Sequence, residues 1–106
     1  MSKFLVEATY TSDGYKGLAK DKASGRKAAI TQAVRALGGQ LDSMYFCLGE
    51  GDVILIVDMP DNVSAAALSS AACASGMART KTTVLLTVEE ADAALSKPTG
   101  YRAPGA

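Results

Sequence analysis

The run Val53-Ile54-Leu55-Ile56-Val57 constrains the fold more than any other segment of the chain. Its consecutive apolar and mostly β-branched residues predict a β-strand. Successive side chains of a strand point to opposite faces of the sheet, so this strand is apolar on both faces, and both faces must be covered. A chain of 106 residues supports one domain with one core. We therefore expect helices of the same chain on one sheet face and a different cover on the other.

The segments around this run predict three further strands and two helical regions, with a short helix near the C-terminus. Gly38-Gly39 should end the first helical region and Gly76 the second, because glycine favours the left-handed conformation that follows a helix. The predicted strands are 3–10, 40–48, 52–59 and 78–88. The predicted helices are 15–21 and 24–37, which together form the first region, then 63–75 and 89–95.

This order predicts an α+β, ferredoxin-like βαββαβ fold, with a four-stranded antiparallel sheet and the helices on one face. Residues 1–95 form the predicted domain and residues 96–106, with two prolines and two glycines, a C-terminal tail. The sheet face without helices should carry Leu5, Ile54, Ile56 and Leu85. Since exposed apolar patches mark interfaces, the sequence predicts a homo-oligomer in which two sheets pack face to face.

Composition restricts the chemistry. The chain contains no histidine and no tryptophan, which excludes a Ser-His-Asp triad, a histidine-bearing zinc site and a histidine-ligated haem within the chain. No cofactor and no metal site is predicted. Cys47 and Cys73 stand far apart among small or apolar residues, so both are predicted to be buried free thiols.

The charges are unevenly distributed along the chain. Residues 1–35 carry seven basic against three acidic side chains, and residues 36–106 carry four against eight. This split suits self-association, whereas no basic run is interleaved with aromatic residues, so no nucleic-acid partner is expected. The longest apolar run is too short to cross a membrane, and no signal peptide is recognisable. We therefore expect a cytoplasmic protein without a membrane partner.

Several punctuated segments together resemble a known family. These are Ala36-Leu37-Gly38-Gly39, the strand ending in Leu48-Gly49-Glu50-Gly51-Asp52, the apolar strand ending in Met59-Pro60-Asp61, and Ala78-Arg79-Thr80-Lys81-Thr82. The chain is similar over roughly residues 3–92 to the small bacterial GYD-domain proteins, which resemble dimeric α+β-barrel proteins and are largely without an assigned function. The chain differs from the family pattern at one position, where Gly51 replaces the family's tyrosine. Glycine is suited to a turn position with positive φ, which tyrosine tolerates less well.

Candidate site residues lie on the predicted open face and at the hairpin. Glu7, with Lys81 or Arg79, forms either polar anchors of a ligand pocket or a cross-strand ion pair. Glu50 and Asp52 either hold a cation or amine, or form a solvated turn.

The tyrosines and the basic helix residues are further candidates. Tyr10, Tyr15 and Tyr45 suit either core packing or a role in a pocket, and Tyr45 is predicted to bind a ligand together with Glu7 and Lys81. The basic residues Lys16, Lys20, Lys22, Arg26 and Lys27 form either an anion-attracting helix face or a solvated surface.

The preferred functional hypothesis is a non-catalytic homo-oligomeric module that binds a small molecule or supports assembly through its open sheet face. A cofactor-independent enzyme of the dimeric α+β-barrel type, a monooxygenase or isomerase, is the alternative. The resemblance weakens it, since such enzymes commonly use His, Trp or Asn in the cavity and Asn62 is this chain's only asparagine. A ligand-sensing regulatory domain is a third, weaker hypothesis. No catalytic residue is assigned.

Overall fold

The computed structural model describes residues 1–106 and shows the predicted ferredoxin-like α+β fold. The sheet is antiparallel, with the strand order β2-β3-β1-β4, so β3 and β1 are central and β2 and β4 are edges. The strands are β1 (Ser2–Tyr10), β2 (Gln40–Phe46), β3 (Val53–Met59) and β4 (Ala78–Leu85). The helices are α1 (Ser12–Ala36), α2 (Asn62–Ala74) and α3 (Val88–Ser96).

The core lies between the sheet and the helices and is built by alternate residues of the two central strands. Phe4 and Val6 of β1 and Val57 and Met59 of β3 are almost fully buried there. Val34 of α1 is completely buried against them. Burial in β3 alternates without exception, as the period of two requires, so four of its six apolar side chains supply the core.

The other two apolar side chains of β3, Ile54 and Ile56, face away from the helices. They lie on the open face, the face of the sheet that no helix covers. Here Leu5, Ile54, Ile56 and Leu85 are each half-buried, and no helix covers them. The register gives a central row across the sheet of Ser43, Ile56, Leu5 and Thr83. A neighbouring row consists of Tyr45, Ile54, Glu7 and Lys81. The open face is thus apolar at its centre and polar at both ends.

The helical boundaries agree with the glycine signals. Gly38 follows α1 with φ +81° and Gly76 follows α2 with φ +75°, the left-handed geometry expected after a helix. The first helical region is in two pieces, as predicted, because Lys22 interrupts it with φ +64° and ψ +170°. The interruption replaces helical backbone with a conformation that non-glycine residues seldom adopt, so the two halves of α1 differ in direction.

Several details differ from the sequence predictions. The strand predicted over 40–48 ends at Phe46, and the strand predicted over 78–88 ends at Leu85, because Val88 begins α3. Cys73 is exposed rather than buried, because it lies on the side of α2 next to the edge strand β4, where its thiol meets the hydroxyl of Thr80 at 3.5 Å. Cys47 is half-buried, and both thiols are free. The last helix extends one residue into the predicted tail, to Ser96, and residues 97–106 form neither helix nor strand.

Gly14 in the first turn of α1 is a point of close approach between helix and loop. It is buried, and a Cβ at this position would overlap the backbone carbonyl oxygen of Met77. We predict that Gly14→Ala lowers the free energy of unfolding by about 1–3 kcal/mol, since either the helix or the Met77 backbone must move. Chemical denaturation monitored by circular dichroism measures this change.

Gly17→Ala in the same helix is the matched control. No atom lies within 4 Å of a Cβ at that position, so alanine should leave stability unchanged or raise it by up to about 1 kcal/mol. Equal effects of the two substitutions would contradict the assigned contact.

Candidate functional site

A polar cleft lies at one end of the open face, where β1 and β4 meet the β2–β3 hairpin. Its volume is about 370 Å³ and no hydrophobic residue lines it. β1 contributes Glu7 and Thr9, and β4 contributes Lys81 and Arg79 directly opposite them. The hairpin closes the cleft with Glu50 and Gly51, where φ of +75° permits the turn that a tyrosine would strain.

The four charged side chains of this cleft have no ion-pair partners. No carboxylate oxygen lies within 4.0 Å of the Arg79 guanidinium or the Lys81 ammonium, although Glu7 and Lys81 are in register. Two cationic and two anionic groups therefore stand free around one cavity. Arg79 and Lys81 are suited to an anionic group of a ligand, and Glu7 and Glu50 to a hydroxyl or amine.

The structure brings Glu7 and Lys81 together, as predicted, and places Tyr45 in the same row but outside the cleft. Tyr45 lies two strands from Glu7, about 10 Å away at the usual strand spacing, with Ile54 between them. Its side chain is exposed and its hydroxyl makes no hydrogen bond. All three predicted ligand-binding residues can thus contact only a ligand that extends across Ile54.

A second charged cluster occupies the opposite end of the open face and was not predicted. The Lys3 ammonium donates hydrogen bonds to Asp42 and, at 3.0 Å, to Asp58. These hydrogen bonds raise the pKa of Lys3 and lower the pKa of Asp42. The cluster could have been found from the sequence only by predicting the register of β1 and β3, which places Lys3 opposite Asp58. The cluster carries a net negative charge, because it holds two carboxylates and one ammonium.

Asp52 does not act together with Glu50, because both of its oxygens are used by the protein. One oxygen accepts the Tyr10 backbone N–H at 2.8 Å, and the other accepts the Tyr15 hydroxyl. The Tyr10 and Tyr15 rings meet edge to face at 5.5 Å. Asp52 thereby joins the hairpin to the end of β1 and the start of α1, and is not available to a ligand.

Tyr10, Tyr15 and the basic face of α1 lie apart from the polar cleft. Tyr10 and Tyr15 lie on the Asp52 side of the hairpin, away from the polar cleft. On α1, Lys16 lies 4.0 Å from Asp13 and Arg26 lies 3.9 Å from Asp21. No group of His, Cys, Asp or Glu side chains in the structure has the proximity needed to hold a metal ion.

The comparison with protein families agrees with this arrangement. The GYD domain model matches residues 4–95, which include β2, β3 and β4 entirely and nearly all of β1 and α3. The chain belongs to the GYD domain family. Within the matched range, Asp52 ties the hairpin to the end of β1 and the start of α1.

Other comparisons add no relative. Neither the curated proteins nor the solved structures include a match to the chain. No helix has the length and apolar character required to cross a membrane.

The Tyr15–Asp52 contact leads to a prediction for alkaline pH. The hydrogen bond to the Asp52 carboxylate raises the pKa of Tyr15 above its ordinary value of 10.0, because ionised Tyr15 would lose this bond and face a like charge. The stabilising contribution is complete below the unfolded-state pKa and is lost as the pH rises through the folded-state value. Subtracting the tyrosinate absorbance titration of Tyr15→Phe from that of the wild type isolates this group.

Asp52→Asn should move the isolated titration of Tyr15 back towards the ordinary pKa, which is about 10 for tyrosine. Glu50→Gln, on the same hairpin but without a contact to Tyr15, should leave the curve unchanged. A wild-type Tyr15 that titrates at the ordinary value would contradict the contact.

Proposed function

We propose that this GYD-domain protein is a non-catalytic homodimeric module whose two open faces pack together and hold a small molecule in the polar clefts. The observation that carries the proposal is the uncovered apolar surface of the sheet, formed by Leu5, Ile54 and Ile56 at its centre and by Leu85 at one end. Helices cover the opposite face, so nothing else in the chain removes these side chains from water. Burying them between two copies would be favourable at about 25 cal/mol per Å² of apolar surface.

Two features of the open face support pairing with an identical copy. The sheet is flanked by charged ends that can be aligned by a two-fold rotation, and isologous two-fold contacts are the commonest in homo-oligomers. Its centre consists of branched apolar side chains that can interdigitate in an aligned sheet-on-sheet packing, in which the sheets lie about 10 Å apart. Half-buried Glu7 lies directly opposite Ile54 on the neighbouring central strand, where this contact would meet the polar cleft.

Ile54→Asp tests the dimer. A carboxylate in the middle of the contact would lose its hydration without gaining a partner, so the dissociation constant should rise by about 100-fold or more. Sedimentation velocity over a concentration series measures the constant. Val63→Asp is the control, because Val63 is an exposed apolar residue in the first turn of α2, on the helical side of the molecule. Equal dissociation constants for wild type and Ile54→Asp would contradict the proposed interface.

The free charges of the polar cleft support the proposed ligand site, with Glu7, Tyr45 and Lys81 as its contacts. A ligand with an anionic group for Lys81 and an apolar body across Ile54 towards Tyr45 would match the row. This chemistry requires binding only, and no reaction is assigned to it.

Mass spectrometry of the small molecules released from purified protein tests the ligand. We expect a compound that is present with wild type and with Lys27→Ala, an exposed α1 lysine without an ion pair, and reduced by about tenfold or more in Lys81→Ala. Loss of an anion contact of 1.5–3 kcal/mol has roughly this effect on affinity. Identical extracts from all three proteins would contradict the ligand site.

A further inference from the structure

Helix α3 is the one helix without a packing partner. None of its nine residues is buried, and the side chains of Val88 and Leu95 are 75% and 84% exposed. A helix of this length has little stability alone in water. Its N-terminus is well formed, since Thr87 and Glu90 make a reciprocal capping box. Because the apolar side of this capped helix packs against nothing in its own chain, we infer that a surface of another molecule covers it.

The two sides of α3 differ in character. Val88, Ala91 and Leu95 recur at positions i, i+3 and i+7 and therefore share one side. The charged side chains Glu89 and Asp92 flank this stripe, and neither has an ion-pair partner. The surface that receives α3 should therefore be partly apolar and carry a free positive charge.

We propose that α3 of each copy is a docking arm that lies over the polar end of the partner's open face and pairs its acidic residues with the partner's Arg79. This inference rests on the proposed dimer and specifies its geometry. Arg79 fits because it is exposed, lacks an ion-pair partner and lies at the end of the open face next to the polar cleft. Lys81 and Glu7, in the next row, remain with the ligand.

The charges select the orientation of the two sheets. In a face-to-face dimer the two-fold axis lies in the plane midway between the two sheets. If this axis is perpendicular to the strands, β4 lies over the partner's β4 and antiparallel to it, so the Leu85 end of one strand lies over the Arg79 end of the other. A two-fold axis parallel to the strands would instead carry the acidic arm to the partner's cluster of Lys3, Asp42 and Asp58, whose net charge is negative. Like charges there would oppose docking. Only the perpendicular axis brings α3 to an unpaired cation, Arg79, at an end of the sheet where Glu7 and Glu50 are balanced by Arg79 and Lys81 and the net charge is zero.

The size of the open face points to the same arm. Four strands of about seven residues present a projected area of roughly 450 Å², whereas a stable interface buries about 800 Å² on each partner. Leu85 on the open face is followed in the chain by exposed Leu86, then Thr87 and exposed Val88, so apolar side chains lead from the end of β4 into α3. The two residues between β4 and α3 span up to about 7 Å, which brings the helix to the rim of a partner sheet about 10 Å away.

A charge-exchange experiment on the full chain tests the arm. Arg79→Glu and the double substitution Glu89→Lys/Asp92→Lys should each raise the dimer dissociation constant by about tenfold, since each places like charges together at two symmetric positions. Combining all three substitutions should restore the constant to within about threefold of wild type, because the attraction is re-formed with reversed sign. Sedimentation velocity measures the constants, and circular dichroism verifies folding.

Lys27→Glu, a charge reversal on α1 outside the interface, is the control and should have no effect. The inference is overturned if the dissociation constant of the triple variant rises by the product of the increases caused by Arg79→Glu and by Glu89→Lys/Asp92→Lys. It is also overturned if the α3 substitutions leave the dissociation constant unchanged. In both cases a dimer that Ile54→Asp still dissociates would leave the proposed function standing. A wild-type protein that is monomeric at all concentrations overturns the proposed dimer and the arm together.

Discussion

The apolar strand β3 is the element on which the remaining structure depends. It pairs with β1 on one side and β2 on the other, and its side chains alternate between the two faces of the sheet. Val53, Leu55, Val57 and Met59 are buried in the core, whereas Ile54 and Ile56 lie on the open face. The apolar residues of β3 thus stabilise the packing of the helices on one face of the sheet and leave an uncovered apolar surface on the other.

Much of this architecture is predictable from the sequence because it depends on local signals. Alternation in β1 assigns Phe4 to the core and Leu5 to the open face, and the glycines after α1 and α2 indicate where these helices end. The pairing of Glu7 with Lys81 follows from the strand order of the fold. These features need only the period of each element and its topology.

Other features depend on contacts between distant residues and have no local signal. The hydrogen bond from Tyr15 to Asp52 joins positions 37 residues apart, and it assigns the hairpin aspartate a structural role instead of a ligand role. Cys73 is exposed because α2 only partly covers the edge strand β4, which its small neighbouring residues do not reveal. The isolation of α3 is also a tertiary property, since its sequence predicts an ordinary amphipathic helix.

One small chain combines a core shared with the helices, an apolar open face and an acidic helix, α3. The open face is proposed to be an interface between two copies in solution. Sedimentation equilibrium of the unmodified protein tests this claim most directly. The account predicts a molar mass of twice the chain mass of 10.9 kDa at micromolar concentration. A mass of 10.9 kDa throughout the concentration series would contradict it.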